Sequence, residues 1–326
     1  MLWNSSFDEL VSTTLKNYAP RMTDNITDQN VVLWALEKQG FIEEREGGTT
    51  IVEPLMTGEN ATVNSFSGYD TIDTSATAGI SAAEQDWKQI AATVSISGIE
   101  QFKNGAGASK TQVVSLLKNK ILQTEKSLML YMNEKLLGDG TGNSSKDIVG
   151  LALAVEDGAA WSTYGGIDSN ANSRWRNRYY GTVGSWAANG EAKLRTLFND
   201  CTRGKDMPEL ILCGQAVHEA FEKELSGALH YMTSDLEMAK AGFRNFQYKG
   251  APVVWDADMQ TSYAGYMYTL QPKYLKFVYG KGRKFALSEW QKPDNQDAKI
   301  AQVFVYGNLV CNNRRLQGVL TGITVP

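Results

Sequence analysis

The chain has 326 residues, 42% of them hydrophobic and 21% charged, with a formal net charge of −4 and a pI near 5.4. This composition excludes a predominantly disordered polymer, and the acidic balance gives long-range electrostatics no preference for a polyanion over the whole surface. Three scattered cysteines, Cys201, Cys213 and Cys311, exclude a disulfide framework or a CxxC metal site, and no run of about 18 apolar residues is present to cross a bilayer.

The length suggests two domains or one two-lobed unit. The opening residues Met1 to Asp8 lack a basic start followed by an apolar run, so no secretory leader is expected. The spacing predicts a short amphipathic helix over Phe7 to Tyr18, with Phe7, Leu10, Val11 and Leu15 on one face. Asp28 caps a second helix that carries Val32, Trp34, Ala35 and Leu36 and stops at Gly40. Neither is long enough to be stable without a partner surface.

From Phe41 to about Ile80 the chain is rich in Gly, Thr and Ser. Two β-type runs, Thr49 to Leu55 and Ala61 to Phe66, flank Thr57-Gly58-Glu59-Asn60 and predict a long β-hairpin. It has too few apolar residues for a core of its own, so it is expected to lie exposed or against another subunit.

Trp87 to Gly98 alternates as a half-buried strand, with Ile90, Ala92, Val94 and Ile96 on one face. Ser109 then caps a long helix ending at Leu137 and closed by Gly138, a rod about 40 Å long. Val114, Leu117, Ile121, Leu128 and Met132 form its apolar stripe, suiting a spine under a sheet.

Beyond Gly150 the pattern becomes α/β. Helices are predicted over Glu191 to Thr202 and Gln215 to Leu225, and strands over Glu209 to Cys213 and Val253 to Trp255. The last stretch is β-rich, with strands at Tyr266 to Leu270, Leu275 to Tyr279, Phe285 to Trp290 and Ile300 to Leu309.

Candidate chemistry is sparse. His218 and His230 are the two histidines, and neither sits in a nucleophile motif, so no catalytic residue is assigned. Asp256 and Asp258 follow a strand without a third ligand in view and read as a strand-ending turn, not a metal site. The run Gly138 to Asn143 follows a helix, where a phosphate loop must precede one, and reads as a helix cap and linker. No cofactor is expected. Arg174, Trp175, Arg176, Arg178, Tyr179 and Tyr180 interleave cations with aromatics, which serves a nucleic-acid strand or a subunit contact. On an acidic chain the contact is favoured. Lys281, Arg283 and Lys284 read as a solvated basic turn.

Three segments carry more information: the polar run Gly165-Gly166-Ile167-Asp168 to Trp175-Arg176-Asn177, Lys249-Gly250-Ala251-Pro252-Val253-Val254-Trp255-Asp256, and Asn313-Arg314-Arg315-Leu316-Gln317-Gly318. With them the chain resembles the major capsid proteins of tailed double-stranded-DNA phages, whose fold is shared by encapsulins and the herpesvirus capsid floor. The resemblance implies an α+β fold: an N-terminal arm (1–40), an extended hairpin loop (41–80), a peripheral domain with a spine helix (81–140, the helix at about 109–137), an α/β axial domain (141–250) and a return to the axial and peripheral sheet (251–326).

It also implies a virion shell protein, assembled in the host cytoplasm into hexamers and pentamers around double-stranded DNA. Scaffold, portal and decoration proteins are the implied partners, with no membrane. No acidic, Lys-rich helical prefix is visible, which implies prior processing or a separate scaffold. Residues 41–80 contain no lysine, so the lysine cross-link made in that loop by some relatives is not expected. Subunit-contact candidates are Phe7, Leu10, Trp34, Ile51, Leu55, Phe66, Tyr69, Arg174, Trp175, Arg176 and Tyr179. The rival readings are an encapsulin-like nanocompartment and, less favoured, a metal-dependent hydrolase around Asp256, Asp258 and His218.

Overall fold

A computed structural model of the chain describes residues 42–103, 116–158, 161–225 and 246–325, together with Val32 and Leu36. The predicted helix over residues 7–18 and the start of the long helix at Ser109 lie outside the described residues. Of the helix expected before Gly40, Val32 and Leu36 are helical and buried. The chain divides into two compact units, one of Met1–Thr27, Ala92–Leu128 and Leu287–Val303, the other of Asp28–Ala91, Met129–Ala286 and Phe304–Pro326.

In the smaller unit, Ser97 and Glu100 form a reciprocal cap on the short helix Gly98–Lys103. The Glu100 amide donates to Ser97 Oγ (3.3 Å), and the Ser97 amide donates to Glu100 Oε2 (3.1 Å). Lys120 donates to the same carboxylate at 2.8 Å and to the Ser95 carbonyl at 3.1 Å. The Gly98 amide donates to the Asp297 carbonyl at 2.8 Å, and Ser288 exchanges bonds with Gln302.

The larger unit is built on a six-stranded mixed sheet ordered Phe246–Tyr248, Ala251–Trp255, Leu210–Cys213, Met267–Leu270, Gly318–Leu320, Arg178–Tyr180. Leu210–Cys213 runs parallel to its neighbour Ala251–Trp255 and antiparallel to Met267–Leu270. Leu210–Cys213, Met267–Leu270 and Gly318–Leu320 are buried along their whole lengths, which is why Leu210–Cys213 reads as a continuous apolar run. Helices Glu191–Asp200 and Gln215–Leu225 bring Leu194, Leu197, Phe198, Val217 and Phe221 into one cluster with Ile211, Val253, Met267 and Leu320. Gly318 permits that contact: a Cβ there would lie 2.6 Å from Thr269 Oγ1 and 2.8 Å from Leu197 Cδ1. At the sheet edge, Lys249 (φ 50°) and Gly250 (φ 88°) make a two-residue turn with both φ positive, the geometry a tight hairpin favours.

A second sheet of this unit pairs Ile42–Arg45 in parallel with Leu275–Gly280, which runs antiparallel to 307–311. The strand Thr50–Met56 pairs with Ile80–Asp86, from Thr50↔Asp86 to Met56↔Ile80. The return strand of the hairpin is therefore not Ala61–Phe66. The loop closes at its neck instead, where the Thr57 amide donates to the Gly79 carbonyl at 2.8 Å and the Gly58 and Gly79 backbones nearly touch. The reason is burial: residues 80–86 offer Ala83 and Gln85 at alternate inward positions, whereas residues 61–66 are almost wholly exposed.

The strand Lys88–Ser97 shows the expected alternation, with Val94 and Ile96 buried. The helix Leu116–Leu137 ends as expected before Gly138, with Leu128, Met132, Leu136 and Leu137 buried. Val114 lies outside the described residues, and Leu117 is exposed, so the predicted stripe is buried only toward the helix C-terminus. There Gly150 packs against the last turn: a Cβ would lie 2.4 Å from the Gly138 carbonyl oxygen. Phe285–Trp290 forms only the short strand Ala286–Leu287.

Candidate subunit interface

The hairpin is anchored at its base by a compact ion cluster. Glu53 points inward from Thr50–Met56 and is buried, where it meets Arg45 and, at 2.9 Å, Lys276. Glu43 bridges the same two cations at 2.7 Å each. The Arg45 guanidinium hydrogen-bonded to it, with Lys276 beyond, holds the Glu43 carboxyl down at about 2 despite partial burial. Two carboxylates and two cations thus satisfy one another, and Ile51 alongside packs on Val278 and Val310.

Next to this base, Gly165 and Gly166 (φ 59° and 75°) turn the chain between Thr163–Tyr164 and Ile167–Asp168. The Gly165 carbonyl accepts from the Glu84 amide at 2.9 Å, and a Cβ at Gly165 would lie 2.8 Å from the Ala83 Cβ. The run that follows folds on itself. Asp168 accepts from the Asn170 amide (2.8 Å), and Arg176 donates to the carbonyls of Ser169 (2.6 Å) and Asn170 (2.7 Å).

The hub of this region is Arg314, fully buried. Its Nε donates to the Ala154 carbonyl (2.8 Å), its Nη1 to Ser169 Oγ (2.7 Å), and its Nη2 to the Leu153 carbonyl (3.1 Å). Nη2 also lies 3.0 Å from buried Glu156, and the guanidinium stacks 4.9 Å from the Tyr164 ring centre. Two of the informative segments of the sequence, 165–177 and 313–318, are therefore halves of one knot. Gln317 and Gln271 exchange side-chain-to-backbone bonds at 2.9 and 3.0 Å beside it. Sequence reasoning missed Arg314 and Glu156 as a buried pair; the signal was the pair Arg314-Arg315 set among uncharged residues between two closing apolar strands.

Beyond the neck the loop carries Val63, Phe66, Tyr69 and Ile72 in the open, and the two strand ends at the neck add Met56 (87% exposed) and Ile80 (82%). Short turns shape it: Asn60 Oδ1 accepts from the Thr62 amide (3.0 Å) and Thr77 Oγ1 (3.1 Å), and Asp70 accepts from the Ser67 amide (2.8 Å). A cleft of 620 Å³ lies between the neck, Pro54 to Glu59, and the turn Ala171 to Trp175. Arg174 reaches Glu59 across it at 3.0 Å, an exposed pair of small energetic weight.

Of the contact candidates, Phe66 and Tyr69 are exposed, as are Arg174 and, by a little over a third, Tyr179. Ile51, Leu55 and Trp175 are corrections. Each is inside the subunit: Ile51 and Leu55 occupy the inward positions of their strand, and Trp175 packs on Tyr164, its Nε1 donating to the Tyr164 carbonyl at 3.0 Å. Arg176 is half-buried and committed to local carbonyls. Phe7, Leu10 and Trp34 lie outside the described residues.

Asp256 and Asp258 both accept from Asn133 Nδ2, Asp258 at 2.7 Å, and Asp256 Oδ1 caps the turn through the Asp258 amide at 2.9 Å. His218 is buried on its helix, and burial lowers its pKa. Among the described residues no group of three His, Cys, Asp or Glu side chains is arranged to hold a metal ion. The basic run at 281–284 is more structured than a solvated turn: Lys281 pairs with Glu46, Arg283 lies over Tyr306 and Lys284 over Tyr279.

No protein-family model and no curated protein matches the chain in sequence. Solved structures do match it in fold. The capsid asymmetric unit of cyanophage A-1(L) superposes with a TM-score of 0.72 at 16% identity, over 99% of this chain and 100% of that one. The chain has the tailed-phage major capsid fold. The capsid of an empty GTA particle matches with a TM-score of 0.64 at 10% identity, over 99% and 100% of the two chains. The SrpI encapsulin of Synechococcus elongatus PCC 7942 matches at 0.60 and 11% identity, over 96% and 93%.

Proposed function

We propose that the chain is the major capsid protein of a tailed double-stranded-DNA phage, many copies of which form the hexamers and pentamers of an icosahedral shell. The observation that carries this reading is the loop beyond Gly58, which holds Val63, Phe66, Tyr69 and Ile72 in water on an arm too thin to cover them. Covering one such side chain with a neighbouring copy is worth about 1.5–3 kcal/mol. Repeated over the contacts of a closed shell, that sum favours assembly. The whole-length likeness to capsid structures supports it.

In this reading the role is structural and not catalytic, and the protein resides in the virion after assembly in the host cytoplasm. Residues 1–40 act as an arm, 41–80 as the extended loop, 81–140 as the peripheral domain, 141–250 as the axial domain and 251–326 as the return to both. Scaffold, portal and decoration proteins are its further partners, and packaged DNA its enclosed cargo.

The encapsulin likeness favours one second reading, a nanocompartment shell around a protein cargo. Negative-stain electron microscopy after size-exclusion chromatography tests the first step: closed shells, tubes or six-membered rings are expected, and a uniform monomer with or without neighbouring gene products would overturn it. Copurifying DNA and a portal ring then select the phage shell, and a copurifying enzyme selects the nanocompartment.

A further inference from the structure

A groove of 420 Å³ opens beside the edge strand Arg178–Tyr180, walled by Trp161, Tyr179 and Tyr180 and lined by Arg174, Arg176, Arg178 and Arg315 against a single carboxylate, Asp200. Trp161 and Tyr179 meet edge to face at 6.5 Å and hold its rim. Two of the four guanidinium groups are accounted for. Arg176 is bound to the carbonyls of Ser169 and Asn170, and Arg174 reaches Glu59. Asp200 accepts from the Tyr180 hydroxyl.

Arg178 and Arg315 differ. Neither side chain has a hydrogen-bond or ion-pair partner among the described residues, and the Nε of each is removed from water with no acceptor. Both side chains are only partly buried overall, and both line the groove. Burial lowers the pKa of Arg315, and the nearby charges of Arg203, Arg178 and Arg174 lower it further. Like charges gathered with donors shut from water are unfavourable unless an acceptor completes them.

We propose that this groove is an oxyanion site, in which a phosphate or carboxylate group is held between Arg178 and Arg315. The planar fork of an arginine matches two oxygens of either group, and two forks sharing one anion relieve both the repulsion and the unmet Nε donors. Arg174, half released because its pair with Glu59 is exposed, adds long-range attraction. The aromatic rim lowers the local dielectric and strengthens the bond.

The anion is free phosphate or a carboxylate presented by a second copy, and one experiment separates them. Equilibrium dialysis of labelled inorganic phosphate, at ionic strength held constant with chloride, is carried out on dissociated subunits and on assembled particles. Saturable binding of one phosphate per chain to subunits is expected, competed by sulfate. R178Q and R315Q should each weaken it at least tenfold, with R195Q, on an exposed helix position, unchanged. Binding to subunits and particles alike assigns the groove to free phosphate; binding to subunits alone assigns it to a neighbour's carboxylate. Absence of saturable binding to wild-type subunits overturns the site whatever the variants do, as does equal binding by folded R178Q and R315Q.

Discussion

Arg314 sets the stability of the region around it through what its loss would leave behind. Glu156 is buried, accepts from the Ser162 amide at 3.0 Å and faces Arg314 at 3.0 Å. In R314M the carboxylate keeps its burial and loses its cation, so the variant should unfold about 3–5 kcal/mol more easily in chemical denaturation. R314M/E156Q should recover part of that loss, because no charge is then left unpaired; equal instability of the single and double variants would mean that the carbonyl contacts matter more than the ion pair.

Glu43 offers a second test at this scale. Its carboxyl is held at about 2, below its ordinary 4.5, so the stability it adds is whole above 4.5 and drains away as pH falls toward 2. The urea midpoint should therefore drop between about pH 5 and pH 2, and E43Q should flatten that part of the drop. Because Glu43 is 41% exposed, the effect is modest and should shrink in high salt.

At the scale of elements, the hairpin divides into a folded base and an uncovered tip. The base contributes Ile51, Leu55 and Glu53 to the subunit interior, while nothing between Asn60 and Thr77 is buried. Gly58 and Gly79 already sit against each other, so residues 60–77 can be replaced by a short turn without disturbing the register of Thr50–Met56 and Ile80–Asp86. The shortened protein should keep the wild-type circular dichroism and denaturation midpoint and fail to form shells in the electron microscope. Normal particles from it would show that assembly does not depend on the tip. Cutting further back into residues 50–56 would confuse the result, because it opens the core around Val278 and Val310.

For the whole molecule, the prediction concerns chemistry between copies. Residues 46–87 hold no lysine or arginine, only acidic and neutral side chains. A shell of this chain should therefore be held without a lysine-derived covalent bond through the loop. Mature particles boiled in detergent should run as a single band near 35.9 kDa; a ladder of covalent oligomers would contradict this. The same absence makes the loop anionic, so particle stability should depend on salt wherever the loop meets cationic surface on another copy.

Much of the architecture was legible in the residues because it rests on local periodicity. The helix Gln215–Leu225, the strands Leu210–Cys213 and Leu275–Gly280 and the helix end before Gly138 all lie where apolar spacing and a glycine stop put them. Local pattern could not identify the partner of Thr50–Met56, because pairing register is decided by which face a distant core will accept. Nor could it find the strands Arg178–Tyr180 and Gly318–Leu320, too short for a period to show.

The same limit applied to the candidate contacts. Composition identified aromatic and arginine-rich segments, yet Trp175 and Tyr69 have the same kind of side chain and opposite fates, one packed on Tyr164 and the other fully in water. Sequence by itself determined the longer helices, the continuous apolar strands and the segments that cannot make a core, since these follow from the order of apolar and polar groups along the chain. Only the tertiary structure decided which side chains remain outside and that Arg314 lies within, because burial is a property of everything packed around a residue and not of its neighbours in sequence.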